Sequence, residues 1–256
     1  MRVFDAPAIR NVALAGHSGA GKTQLASALL FTAGAVNRLG KVDEGTTVTD
    51  YDEEAIARKH TLGSSLAWLE WQKTKINLID TPGVGNLLSD TRNALRVVEA
   101  VVIVVDGVSG VQVQTEAVWQ AAVEANLPRL VAVSRLDRER SSFERTLDSL
   151  REAFGRAVVP ITLPVGAERG FQGVVDLLTM QALTYLPDGS GAVKTGPVPA
   201  ALEAEAAAAR ETLVEMVAEA DDTLMARFFD EGTLTNEELA AGLARAVADG
   251  KIFPAV

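Results

Sequence analysis

The residues Gly16-His17-Ser18-Gly19-Ala20-Gly21-Lys22-Thr23 satisfy G-x-x-x-x-G-K-[ST] at every fixed position. This pattern limits the fold, because such a loop binds only when its backbone N–H groups converge at the N-terminus of a helix that follows a strand. The flanks comply. Val12-Ala13-Leu14-Ala15 reads as a short buried strand, and Gln24 to Phe31 places Leu25, Ala28 and Leu29 at helical spacing before Gly34 ends the run. The loop is therefore expected to cradle a nucleotide β-phosphate with its amides. Lys22 would reach the β- and γ-phosphates, and the Thr23 hydroxyl would bind Mg²⁺.

Composition narrows the remaining chemistry. With no cysteine and two histidines far apart in 256 residues, disulfides, thiolate catalysis and Cys-ligated metals are excluded, and a His-based metal site has little support. A cation held by oxygen ligands is what remains. A net charge of −10 argues against broad attachment to nucleic acid, so no direct sequence-specific nucleic-acid binding is expected; an RNA-containing partner would have to meet a local patch. A hydrophobic content of 48% is ample for a core. The chain has no apolar run of roughly 18 residues and no leader-like start, so no membrane association, a cytoplasmic location and a monomer are expected.

The rhythm of the chain gives the fold class. Lys75 to Ile79 reads as a strand ending in Asp80, Ala100 to Val105 as a strand buried on both faces, and Leu130 to Val133 as another. Helical stretches at Val111–Ala125 and about 143–154 alternate with these, and a further strand is expected near Val158 to Leu163. The pattern predicts an α/β, doubly wound, mostly parallel sheet of the P-loop NTPase class. Residues 37–60 are polar and densely charged, with weak periodicity, and read as a connection that is either functional or disordered.

From about residue 164 the rhythm changes. Phe171 to Tyr185 suggests one or two strands, Pro187 to Pro199 a loop, and Ala200–Ala220, Asp222–Phe229 and Thr235–Ala248 helices, the first solvated with one packed face. The expected organisation is a P-loop core over 1–163, an inserted smaller α+β subdomain over 164–250, and the start of the last core strand over 251–256, with the chain read as part of a longer protein or a truncated one.

A phosphate loop does not choose its base, but further stretches do. The chain resembles the GTPase domain of elongation factor G, most closely divergent elongation factor G-like paralogues whose loop reads Gly-His-Ser-Gly-x-Gly-Lys-Thr. The likeness runs over essentially the whole length, including the inserted lobe. It includes Glu44-Gly45 before Asp50, Asp106 with Ser109-Gly110-Val111, Gln114-Thr115-Glu116 and Val118-Trp119.

The resemblance implies GTP or GDP with Mg²⁺ as ligands and the ribosome as partner. In its terms Gly16 to Thr23 bind nucleotide, and Asp80-Thr81-Pro82-Gly83 is the D-x-x-G element, with Asp80 on the metal and the Gly83 N–H on the γ-phosphate. Thr61 falls at the metal-coordinating switch threonine, so Thr23, Thr61 and Asp80 form the metal set and Lys22, Thr61 and Gly83 the catalytic one. Where the family writes Arg-Gly-Ile-Thr, this chain has Arg58-Lys59-His60-Thr61.

Ser134-Arg135-Leu136-Asp137 lies at the N-K-x-D element, where Asp137 would accept from guanine N1–H and N2–H₂ while Ser134 and Arg135 replace Asn and Lys. After Gly83 the family places a water-orienting His, and this chain has Val84, which implies binding with slow or absent hydrolysis. The readings carried forward are a translation-factor switch domain and, beside it, a non-hydrolysing regulatory module associated with the ribosome. An ATP-dependent kinase or ATPase is disfavoured by Asp137.

Overall fold

The computed structural model of the chain describes residues 3–186 and 190–256. The fold is mixed α/β, with a mostly parallel sheet and an additional antiparallel one, as the alternating pattern requires. Two units make up the chain: residues up to Asp106 with Gln112–Arg129, and Gly107–Val111 with Leu130–Val256.

The first unit holds β1 (Ile9–Ala15), α1 (Lys22–Thr32), α2 (Glu53–Arg58), β2 (Ser65–Trp71), β3 (Thr74–Asp80), α3 (Leu88–Leu95), β4 (Ala100–Asp106) and α4 (Val113–Glu124). Its strands run in the order β2-β3-β1-β4. β1 is parallel to both neighbours, with Leu14 opposite Asp80 and Ala15 opposite Ile103. This register brings the C-terminal ends of β1 and β3 level, so the loops that leave them emerge side by side. Ala13, Leu14 and Ala15 are fully buried, as are Ile103, Val104 and Val105, which explains why both runs lack polar alternation. On one face Leu30 of α1 packs with Ala67, Leu69 and Leu78.

Two helices of this unit escape the periodicity reading. α2 has six residues and is set up by local chemistry: the Asp52 carboxylate accepts from the Glu54 and Ala55 N–H groups, and Lys59 closes the helix in a left-handed conformation at φ 54°. α3 follows the Pro82-Gly83 and Gly85-Asn86 turn signals, which hide its start.

The second unit holds β5 (Arg129–Ser134, its first residue on the boundary), α5 (Phe143–Phe154), β6 (Val158–Pro160), β7 (Thr162–Val165), β8 (Gly173–Asp176), β9 (Gln181–Tyr185), β10 (Val193–Pro197), α6 (Glu203–Glu219), α7 (Asp222–Glu231), α8 (Asn236–Ala248) and β11 (Phe253–Ala255). β11 lies between β5 and β6, parallel to both. The antiparallel sheet runs β10-β9-β8-β7.

The single strand expected near Val158 to Leu163 is in fact two strands in different sheets. Pro160 has no N–H to continue a ladder, and Ile161 is the pivot: its N–H donates to Ala255 O at 2.9 Å and its carbonyl accepts from Leu177 N at 3.0 Å. The expected loop from Pro187 to Pro199 also differs. Residues 187–189 lie outside the described residues, but Val193–Pro197 pairs with β9 as an edge strand, the place in a sheet where Gly196 and Pro197 are tolerated.

α6 is the expected solvated helix with one packed face, burying Ala206, Leu213, Val214, Val217 and Ala218. Leu213 is completely inaccessible. Leu213→Ala is expected to lower the unfolding free energy by about 2–5 kcal/mol through lost burial and a cavity, measurable as a lower urea midpoint at unchanged slope.

Candidate nucleotide-binding site

The loop between β1 and α1 is fixed by close backbone approach. Gly16 sits at φ +141°, and a Cβ there would overlap the Val104 carbonyl of β4, so glycine is obligatory. His17 is 2% exposed. Its Nε2 accepts from the Asp106 N–H at 3.3 Å, which leaves Nδ1 as the donor to Ser18 O at 2.9 Å. The His17 ring thus pins the loop to the end of β4.

The Lys22 ammonium is buried inside the loop's own curl, donating to Gly16 O at 3.1 Å and His17 O at 2.9 Å. Burial lowers its pKa to about 8, while the carboxylates of Asp80 and Asp50 pull it back up. Gly83 packs directly on this group, and a Cβ at that position would overlap Lys22 Nζ and the His17 carbonyl. The turn after β3 therefore packs directly against the loop between β1 and α1. Val84 is half-buried at the start of a short 3-10 turn over Gly85–Leu87.

The polar connection also converges here. Thr61 Oγ1 lies 2.9 Å from Thr23 Oγ1, which brings two of the three expected metal ligands together. Asp80 is wholly buried; burial pushes its carboxyl up to about 6, with the Thr23 and Thr49 hydroxyls and Lys22 opposing and Asp50 adding to the rise. Its Oδ2 accepts from Thr49 Oγ1 at 2.9 Å, and its Oδ1 has no hydrogen-bond partner.

A buried anion with one unmatched oxygen beside two facing hydroxyls is a donor set that suits a hard divalent cation. Among the described residues no three His, Asp or Glu side chains cluster as metal ligands, so the set is hydroxyls with one carboxylate. Sequence reasoning missed two members of this region, Thr49 and Asp50. Asp50 is 6% exposed, and burial raises its pKa against the Thr61 hydroxyl, Lys22 and His60. In the sequence Asp50 stands out only as part of the family wording after Glu44-Gly45, with no role attached.

In the second unit Ser134 ends β5 and its carbonyl accepts from Gly107 N at 2.9 Å. Arg135 takes a left-handed φ of 59°, the Arg138 N–H returns to its carbonyl at 3.1 Å, and Ser141 Oγ donates to Leu136 O at 2.8 Å. This tight turn leaves the Asp137 carboxylate exposed on a braced loop.

Residues 7–242 match the model of the elongation factor Tu GTP binding domain. The chain belongs to the elongation factor Tu GTP-binding domain family. It is also similar to a crystal structure of a protein from Thermus thermophilus, at 34% identity and a TM-score of 0.89 over 97% of this chain. The match takes in 37% of that longer protein. Family membership implies that the chain binds a guanine nucleotide. Among the described residues no helix is long and apolar enough to cross a membrane.

The lowered Lys22 pKa gives this GTP-binding domain a pH signature. Above about pH 8 the free ammonium has lost its proton and phosphate binding must restore it, so binding takes up a proton. GDP affinity measured calorimetrically is expected to fall about twofold from pH 7 to pH 8 and about fivefold from pH 8 to pH 9. A flat profile over that whole range would contradict the assignment of Lys22 to the phosphates.

Proposed function

We propose that the chain is the Mg²⁺-dependent GTP/GDP switch domain of an elongation factor G-like ribosomal translation factor, with weak hydrolysis. The observation that carries this reading is the packing of Gly83 against Lys22, followed by a valine. The loop amides from His17 to Thr23 cradle the β-phosphate, and the Lys22 ammonium places its charge between the β- and γ-phosphates. Thr23, Thr61 and Asp80 hold the cation. When bound, Mg²⁺ neutralises charge on the phosphate oxygens. Asp137 accepts two hydrogen bonds from guanine, while Ser134 and Arg135 give weaker support than the family's Asn and Lys.

Switching follows from the two segments that meet the loop. Thr61 arrives from the polar connection and Gly83 from the end of β3, so both segments report the γ-phosphate. The core over 1–163, the inserted subdomain over 164–250 and the strand begun at 251–256 pass that report to other parts of the factor or to the ribosome, in the cytoplasm and as a monomer.

Hydrolysis needs a group that orients water against the γ-phosphate. Val84 has neither donor nor acceptor, and positioning supplies much of the rate in phosphoryl transfer. In single-turnover GTP hydrolysis with ribosomes, Val84→His is expected to raise the rate about tenfold or more over the natural chain. A natural rate that the substitution leaves unchanged contradicts impaired hydrolysis. No turnover by the natural chain even with ribosomes favours the second reading, a non-hydrolysing GTP-binding regulator, for which Val84 is the supporting observation.

A further inference from the structure

Thr49 is 2% exposed and Asp80 fully buried, and their side chains meet at 2.9 Å, Thr49 Oγ1 donating to Asp80 Oδ2. A carboxylate is an acceptor-only group with two equivalent oxygens, and buried without partners it is free to turn about its last torsion. A strong donor held on one oxygen removes that freedom. Thr49 engages one oxygen, and the other, Oδ1, is buried as well but has no hydrogen-bond partner.

The donor is stiff as well, since a β-branched side chain has few χ1 choices. Thr49 belongs to the connection that runs from the short 3-10 turn at Val42–Glu44 to α2, and the next residue, Asp50, feels both Lys22 and Thr61. This two-residue step therefore touches the loop side and the β3 side of the site.

We propose that Thr49 is a positioning residue: it fixes one oxygen of Asp80 so that the other is presented, beside the Thr23 hydroxyl, to the divalent cation. The proposal rests on the reading of Thr23, Thr61 and Asp80 as the cation's ligands. Valine would fill the same volume but leave Asp80 Oδ2 buried and unpaired, whereas serine would keep the donor. Partners that orient a ligand from behind typically contribute about 10–100-fold in metal affinity.

The test follows binding of a fluorescent, non-hydrolysable GTP analogue as Mg²⁺ is titrated, with a parallel measurement in EDTA. The natural chain, Thr49→Val, Thr49→Ser, Asp80→Asn and the double variant Thr49→Val/Asp80→Asn are compared. Thr49→Val is expected to need about tenfold or more Mg²⁺ for half-maximal binding, with affinity in EDTA unchanged, and Thr49→Ser to behave as the natural chain. In the Asp80→Asn background the valine should add nothing, since both act through one carboxylate.

An unchanged Mg²⁺ midpoint for Thr49→Val overturns the proposal. So does an equal loss in EDTA, or additive effects in the double variant. If the natural chain itself shows no Mg²⁺ dependence, the cation reading falls and the proposal with it. That result differs from failure of the proposal alone, in which natural chain and valine variant respond to Mg²⁺ alike.

Discussion

The site depends on a buried ammonium held by two backbone carbonyls. Lys22 donates to Gly16 and His17 inside the loop that it terminates, and Asp80 and Asp50 provide the compensating charge. Taking a lysine out of water is unfavourable unless it is paired, and here pairing is shared between dipoles and carboxylates rather than a tight ion pair. The loop carbonyls position the charge, the carboxylates keep it ionised near neutral pH, and Gly83 closes over it because no side chain intervenes. The result is a cation that is already oriented and largely desolvated.

This arrangement follows from the sheet. Parallel pairing of β1 with β3 puts Leu14 level with Asp80, so the phosphate loop and the D-x-x-G turn leave the same edge. Pairing of β1 with β4 brings Val104 against Gly16 and lets the Asp106 N–H reach the His17 ring. The position after Gly83 carries an isopropyl group, which neither donates nor accepts a hydrogen bond.

What could be read in the sequence follows the range of the forces involved. The phosphate loop, the central strands and α5 are set by residues close in sequence, and their patterns state them. α5 runs from Phe143 to Phe154 behind a Ser142 cap, as its periodicity and capping residue imply. The placement of Thr61 beside Thr23 came from counting along a family pattern, because no periodicity marks it. Thr49 and Asp50 were not legible: a threonine and an aspartate in a polar stretch become site residues only when the connection folds back on β3 and α1. The split of β6 from β7 and the pairing of β10 escaped for a similar reason, since both depend on partners distant in the chain.

If Lys22 is held buried for the phosphates, replacing it should separate stability from binding. The direct measurement is thermal unfolding and GDP affinity of Lys22→Met beside the natural chain. The account predicts a melting temperature equal to or above the natural one, since a desolvated charge is removed, together with a loss of GDP affinity of about 100-fold or more. A variant that melts well below the natural chain yet binds GDP with natural affinity would contradict it.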